Sequence, residues 1–198
     1  MEPNSEQKST FLVSIVGNGP SRSLWDGAGM SIGCNCAEDT RLLCITDKWL
    51  IYKVMDRELR PKAPLILGPG AWREARNCNI WNKVSLVGCI TKADGMDLNA
   101  GQTAALWAYR VYSGCELHLW GFDSMWTGER TTKTDDEWAA WKSAKPARGD
   151  GKKPAPAKWT RAWKAIKEKN PKILLYLHTP KGVSINTING LFAQVEHE

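Results

Sequence analysis

The chain has 198 residues, 42% of them hydrophobic and 24% charged, with 11 Trp, 6 Cys and 3 His and a formal net charge of +6. That length suits one domain with a full core, and the composition is that of a globular protein rather than a disordered or fibrous one. No run approaches the roughly 18 apolar residues of a membrane span, and the polar, acidic start Met1–Lys8 is wrong for a secretory signal. A chain of this size does not need its cysteines as disulfide staples, so a reducing cytoplasm is the expected setting.

Residues 1–10 read as a frayed tail ahead of a single domain over 11–198. The run Phe11-Leu12-Val13-Ser14-Ile15-Val16 has the near-continuous apolar character of a parallel strand covered on both faces. It feeds Gly17-Asn18-Gly19-Pro20-Ser21, a turn whose glycines permit positive φ and close approach of backbone to a ligand. Further strands are expected at 30–33, 42–46, 64–67, 84–88, 116–120 and 173–177, with helices at 47–56, 100–112, 134–143 and 157–169. Alternation of this kind predicts an α/β fold: one Rossmann-like domain with a mostly parallel sheet and helices on both faces. Within the last helix, Trp159, Ala162, Trp163 and Ile166 form one apolar stripe opposite a basic face.

The six cysteines lack metal spacing. Cys34-x-Cys36 is one residue short of a Cys-x-x-Cys pair, and no second pair with His follows at zinc-site distance. Cys44 and Cys89 sit in or beside apolar runs, where a reduced thiol acts as a small buried hydrophobe. Seven tryptophans (72, 81, 126, 138, 141, 159 and 163) lie in polar or charged surroundings. They are expected to pack helices onto the sheet, unless one or two stack on a base or a sugar ring.

Charge is concentrated. Lys142 to Lys172 holds eleven Lys/Arg against two acids, whereas the rest of the chain has sixteen basic against nineteen acidic residues. Pro and Gly between Lys145 and Pro156 preclude helix, so that stretch is read as a loop within a lid region at about 124–157. A basic lid suits a phosphorylated donor or a nucleic-acid backbone.

Each predicted strand ends in a polar group at the same edge: Gly17–Ser21, Asn35, Asp47, Asp123 and His178. Carboxyl strand ends form the ligand crevice of open α/β sheets, so these groups are expected to converge. Small residues from Asn99 to Ala105 open a helix whose N-terminus favours an anion, although Asn99 or Thr103 also suits a simple cap. Asp47 has the same two readings, a helix cap or an acid for Mg²⁺.

Taken together, Gly-Asn-Gly-Pro-Ser, the strand ending in Cys34-Asn35, Gly101-Gln102-Thr103-Ala-Ala-Leu and Leu117-His-Leu-Trp-Gly-Phe-Asp123 resemble the bacterial sialyltransferase-like family. They resemble equally its relatives, the archaeal pterin pyrophosphokinase-like proteins and the flagellin-glycosylation proteins. The likeness runs over residues 11 to 123, and the pattern at 158–180 is similar to the end of the sialyltransferase domain. It implies that Gly17, Asn18, Gly19, Pro20 and Ser21 face a donor nucleotide. Asn35 would hold a phosphate or sugar hydroxyl, and Gly101, Gln102 and Thr103 would meet the cytidine or its equivalent. The family needs no metal and uses a lid His and lid tyrosines, but residues 124–157 contain neither.

Lys145, Arg148, Lys152 and Lys153 are the candidates for contacting a departing phosphate, and Asp123 and His178 for the catalytic base. The expectation is a small glycosyltransferase using a nucleotide-activated sugar. Its acceptor would be phosphate-bearing, such as modified phage DNA gripped by the lid. A Mg²⁺-dependent pyrophosphokinase and a non-catalytic nucleotide- or nucleic-acid-binding protein are the alternatives. No membrane partner is expected, and no oligomeric state follows from the sequence.

Overall fold

The computed structural model describes residues 11–37, 39–56, 61–90, 98–129, 157–185, 188 and 190–198. The tail 1–10, the helix expected at 134–143, and the lid residues Lys145, Arg148, Lys152 and Lys153 lie outside the described residues.

Eight strands form one sheet: β1 (Leu12–Val16), β2 (Met30–Cys34), β3 (Leu42–Ile45), β4 (Leu65–Leu67), β5 (Leu86–Cys89), β6 (Glu116–Trp120), β7 (Leu174–Pro180) and β8 (Ala193–His197). Their order is β5-β4-β3-β2-β1-β6-β7-β8, and every neighbouring pair is parallel. The helices are α1 (Lys48–Met55), α2 (Pro69–Cys78), α3 (Ala100–Val111), the short α4 (Ser124–Thr127) and α5 (Ala157–Lys169), with a 3-10 turn at Pro20–Leu24. The chain thus forms the Rossmann-like α/β architecture that its alternating pattern predicts.

Both faces of the sheet are covered because successive strand residues point to opposite sides. Leu42 and Cys44 join Val13, Ile15, Leu117, Leu119, Leu175 and Leu177 in the core under α3 and α5. Leu43 and Ile45 turn the other way and pack with Leu65 and Leu67 against α1 and α2. Trp163 of α5, fully buried, meets Phe122 and Phe192 edge-on at centroid distances of 6.4 and 5.3 Å. Ala162, Trp163 and Ile166 are the buried residues of this helix, three of the four in the expected stripe, while Trp159 is half-buried. All six cysteines are reduced, and burial pushes the Cys34 thiol up to about 12, so it serves as packing rather than as a nucleophile. No helix among the described residues is long and apolar enough to cross a membrane.

Several elements differ from the sequence reading, among them the short α4, which forms at the start of the stretch expected as the lid. Helix α2 was not expected. Pro69 is pre-set for the first helical turn, and Asn79 closes the helix in the left-handed region with φ 50°. Strand β8 was also not expected, since Ala-Gln-Val-Glu-His is a weak apolar pattern on a half-covered edge. Strand β7 runs on to Pro180, so His178 lies within the strand and not at its end.

Candidate functional site at the carboxyl edge of the sheet

From β1 the chain moves outward through β2, β3, β4 and β5, then returns to place β6 on the other side of β1. The connections therefore diverge between β1 and β6, and the crevice beyond the carboxyl ends of two such strands is where open α/β sheets take ligands. The turn after β1 and the turn after β6 meet there. Gly17 N–H donates to the Trp120 carbonyl at 2.7 Å, and Gly19 N–H to the Gly121 carbonyl at 2.9 Å. A Cβ on Gly17 would collide with the Gly121 carbonyl, and one on Gly19 with the Asp123 carboxylate.

This contact corrects the expected role of the turn. Ser21 donates its N–H to both Asp123 oxygens at 3.1 Å and its hydroxyl to Oδ2 at 2.7 Å. Arg22 N–H goes to the Gly19 carbonyl at 3.0 Å. The N–H groups of Gly17, Gly19 and Ser21 are thus consumed inside the protein, and the Asp123 carboxylate takes the Ser21 N–H in a turn expected to face a donor nucleotide. The glycines serve close approach of two backbones. Asp123, buried and holding Ser21, is a positioning residue in this arrangement rather than a free base.

The next three polar strand ends line up along the same edge. Asn18 Nδ2 reaches across to the Cys34 carbonyl at 2.8 Å. Asn35, in the left-handed region at φ 56°, donates through Nδ2 to Asp47 Oδ2 at 2.8 Å and accepts Thr46 N–H at 3.3 Å. Asp47 precedes α1 but makes no side-chain cap bond to it; its carboxylate is turned along the edge. Arg22 joins this edge from the 3-10 turn, ion-paired to Asp39. The sequence reading missed Arg22, although a basic residue one position past a strand-end turn was visible in it.

The start of α3 lies beside the same turn, because a Cβ on Gly101 would run into the Phe122 ring, next to Asp123. Its residues are nevertheless occupied. Asn99 accepts Gln102 N–H at 3.0 Å while Gln102 Oε1 accepts Asn99 N–H at 3.1 Å, the reciprocal pattern of a capping box. Gln102 Nε2 then donates to the Trp159 carbonyl at 2.7 Å, tying α3 to α5. Gln102 and Thr103 are fully buried, and Thr103 Oγ1 has no hydrogen-bond partner among the described residues. Gly101, Gln102 and Thr103 are therefore packing and capping residues here, not an open nucleotide contact.

His178 also differs from the expected base. Its Nε2 lies 2.7 Å from His118 Nδ1, and its Nδ1 lies 2.7 Å from His197 Nε2. Its ring stacks on Trp120 with centroids 3.4 Å apart. Burial first, then the neighbouring imidazoles, lowers its pKa from the ordinary His value to about 3. Burial lowers that of His118 as well, opposed by Glu116. All three histidines of the chain thus meet on one sheet face. The matching phases of Glu116-x-His118-x-Trp120 and Tyr176-x-His178 carried that signal, but His197 could not be placed without β8.

No family model, curated protein or solved structure matches this chain. Among the described residues no group of three or more His, Cys, Asp or Glu is arranged to hold a metal ion.

Proposed function

We propose that this protein is a nucleotide-dependent transferase that passes a glycosyl group from a nucleotide-activated sugar to an acceptor in the cytoplasm. The observation that carries the reading is the set of polar strand ends along the carboxyl edge at the β1–β6 divergence. Asp47, Asn35, Asn18, Ser21 and Asp123 succeed one another along one edge. In this reading Asn18, Asn35 and Asp47 take the donor's hydroxyls and Arg22 its phosphates, while Asp123 fixes the turn that shapes the crevice. The exposed Lys158, Arg161 and Lys164 of α5 continue the basic segment toward a phosphate-bearing acceptor such as modified DNA.

Calorimetry against cytidine and uridine nucleotides, their sugars and ATP tests the donor. Binding of one of them, weakened at least tenfold by Asn35→Ala, is expected; no heat from any of them ends the proposal. Gel-shift titration in rising salt tests the acceptor, with retardation at low salt that fades as salt competes for the phosphates.

A second reading is favoured by Asp47, whose carboxylate is directed along the edge instead of capping α1. An acid so placed suits recruitment of Mg²⁺ by a pyrophosphokinase acting on a pterin-like ring. Magnesium-dependent conversion of ATP to AMP, lost in Asp47→Asn, would select it over sugar transfer.

A further inference from the structure

On the sheet face opposite α3 and α5, three adjacent strands each present one imidazole: His118 from β6, His178 from β7 and His197 from β8. The rings are 5.0 Å apart from one to the next, and the nitrogens face each other in the order Nδ1 to Nε2, then Nδ1 to Nε2. At one end, the buried His118 Nε2 has no hydrogen bond and faces Glu116 Oε2 at 3.6 Å. At the other end, His197 lies on the partly exposed edge strand. Both nitrogens of the middle ring are used, so the three rings cannot converge on one metal ion.

We propose that His118, His178 and His197 form a proton relay between Glu116 and the outer edge of the sheet, with His178 as its link. In one sense each ring carries its hydrogen on Nε2: His197 donates to His178, His178 to His118, and His118 points at Glu116. A proton arriving at His197 Nδ1 reverses the row. The His197 Nε2 hydrogen passes to His178 Nδ1, the His178 Nε2 hydrogen to His118 Nδ1, and the His118 Nε2 hydrogen to the Glu116 carboxylate. One proton is taken up and one delivered, and every ring ends neutral with its hydrogen on Nδ1. A neutral row is what the site favours, since burial disfavours an imidazolium at its centre.

The surroundings hold the rings in place. Tyr176 stacks on His118 at 4.7 Å, and Trp120 is pinned under His178 by its Nε1–H to Ser14 Oγ at 3.2 Å. The charged groups on or against these strands include Glu116 on β6, the Arg22–Asp39 pair at the 3-10 turn that packs against β6 and β7, and the Lys181–Glu198 pair beyond β7 and β8. The row also adjoins the candidate crevice, because the Trp120 carbonyl accepts the Gly17 N–H.

Long-range proton–nitrogen NMR on the full chain labelled at histidine tests the relay. The three rings are expected to share one tautomer sense, or to average together between the two. His178→Phe keeps a flat ring on Trp120 but breaks the row, so exchange of the His118 ring hydrogen with water should slow at least tenfold. Should that variant fail to fold, His197→Gln removes the entry point and should slow the same exchange. Fixed tautomers of opposite sense, or exchange at His118 unchanged in the folded variants, overturn the proposal. So does one equivalent of Zn²⁺ that shifts all three rings; absence of any shift supports the relay.

Discussion

At the residue scale, the Asp123–Ser21 contact decides how the crevice is shaped, because it links residues 102 positions apart through three buried hydrogen bonds. Asp123→Ala leaves the Ser21 N–H and hydroxyl without partners, and hydrogen bonds to a charged group are worth about 1.5–3 kcal/mol. A loss of about 3 kcal/mol in urea unfolding is expected. Ser21→Ala, which keeps the N–H bonds, should cost about 1 kcal/mol, and the double variant should cost no more than Asp123→Ala alone. Additive losses would show that the two side chains act separately. Gly19→Ala places a methyl against the same carboxylate, and overpacking of this kind costs about 1–3 kcal/mol. The polar character of Ser21 and Asp123 was legible in the sequence. Their pairing was not, since the same strand-end residues serve equally as ligand contacts or as each other's partners.

At the element scale, the α3 N-terminus shows how one residue replaces a ligand. Gln102 closes the capping box and also ties α3 to α5 through the Trp159 carbonyl. Gln102→Ala removes both the capping-box acceptor and the tie to the Trp159 carbonyl, two part-buried hydrogen bonds, with an expected loss of about 2 kcal/mol. Gln102→Glu can still accept from Asn99 N–H but sets an oxygen against the Trp159 carbonyl. Its loss should match or exceed that of the alanine variant at pH 8 and shrink as the carboxyl protonates. If Gln102→Glu is as stable as the native chain at pH 8, the tie to α5 contributes nothing. Apolar runs made most strands and the helices at α1, α3 and α5 legible in the sequence. Helix α2 was hidden because Pro69-Gly70 reads as a turn unless Pro is recognised at a first helical position. Strand β8 was hidden because tertiary pairing with β7, not its own side chains, makes it a strand.

At the scale of the whole molecule, the sequence pattern carried a parallel sheet but not its order. The return of the chain from β5 to β6 both sets the β1–β6 divergence and brings the three histidines side by side, and local periodicity encodes neither event. The histidine row gives the molecule a pH dependence whose sign follows from burial. His178 is held at about 3 against 6.5 when unfolded, and His118 is lowered too, so the folded state binds fewer protons than the unfolded one. Stability is therefore complete above about pH 6.5 and falls as pH drops below it toward 3, with a limit of about 1.4 kcal/mol per pH unit for each group. Urea unfolding at pH 7.5 and pH 5 brackets the part of this window above most carboxylate titration. The midpoint should be lower at pH 5 by the equivalent of 1–2 kcal/mol, on the order of one buried imidazole. His178→Phe, which removes the most strongly shifted group, should make the fall between those two pH values distinctly shallower. An equal fall in both proteins would place the acid sensitivity outside the histidine row.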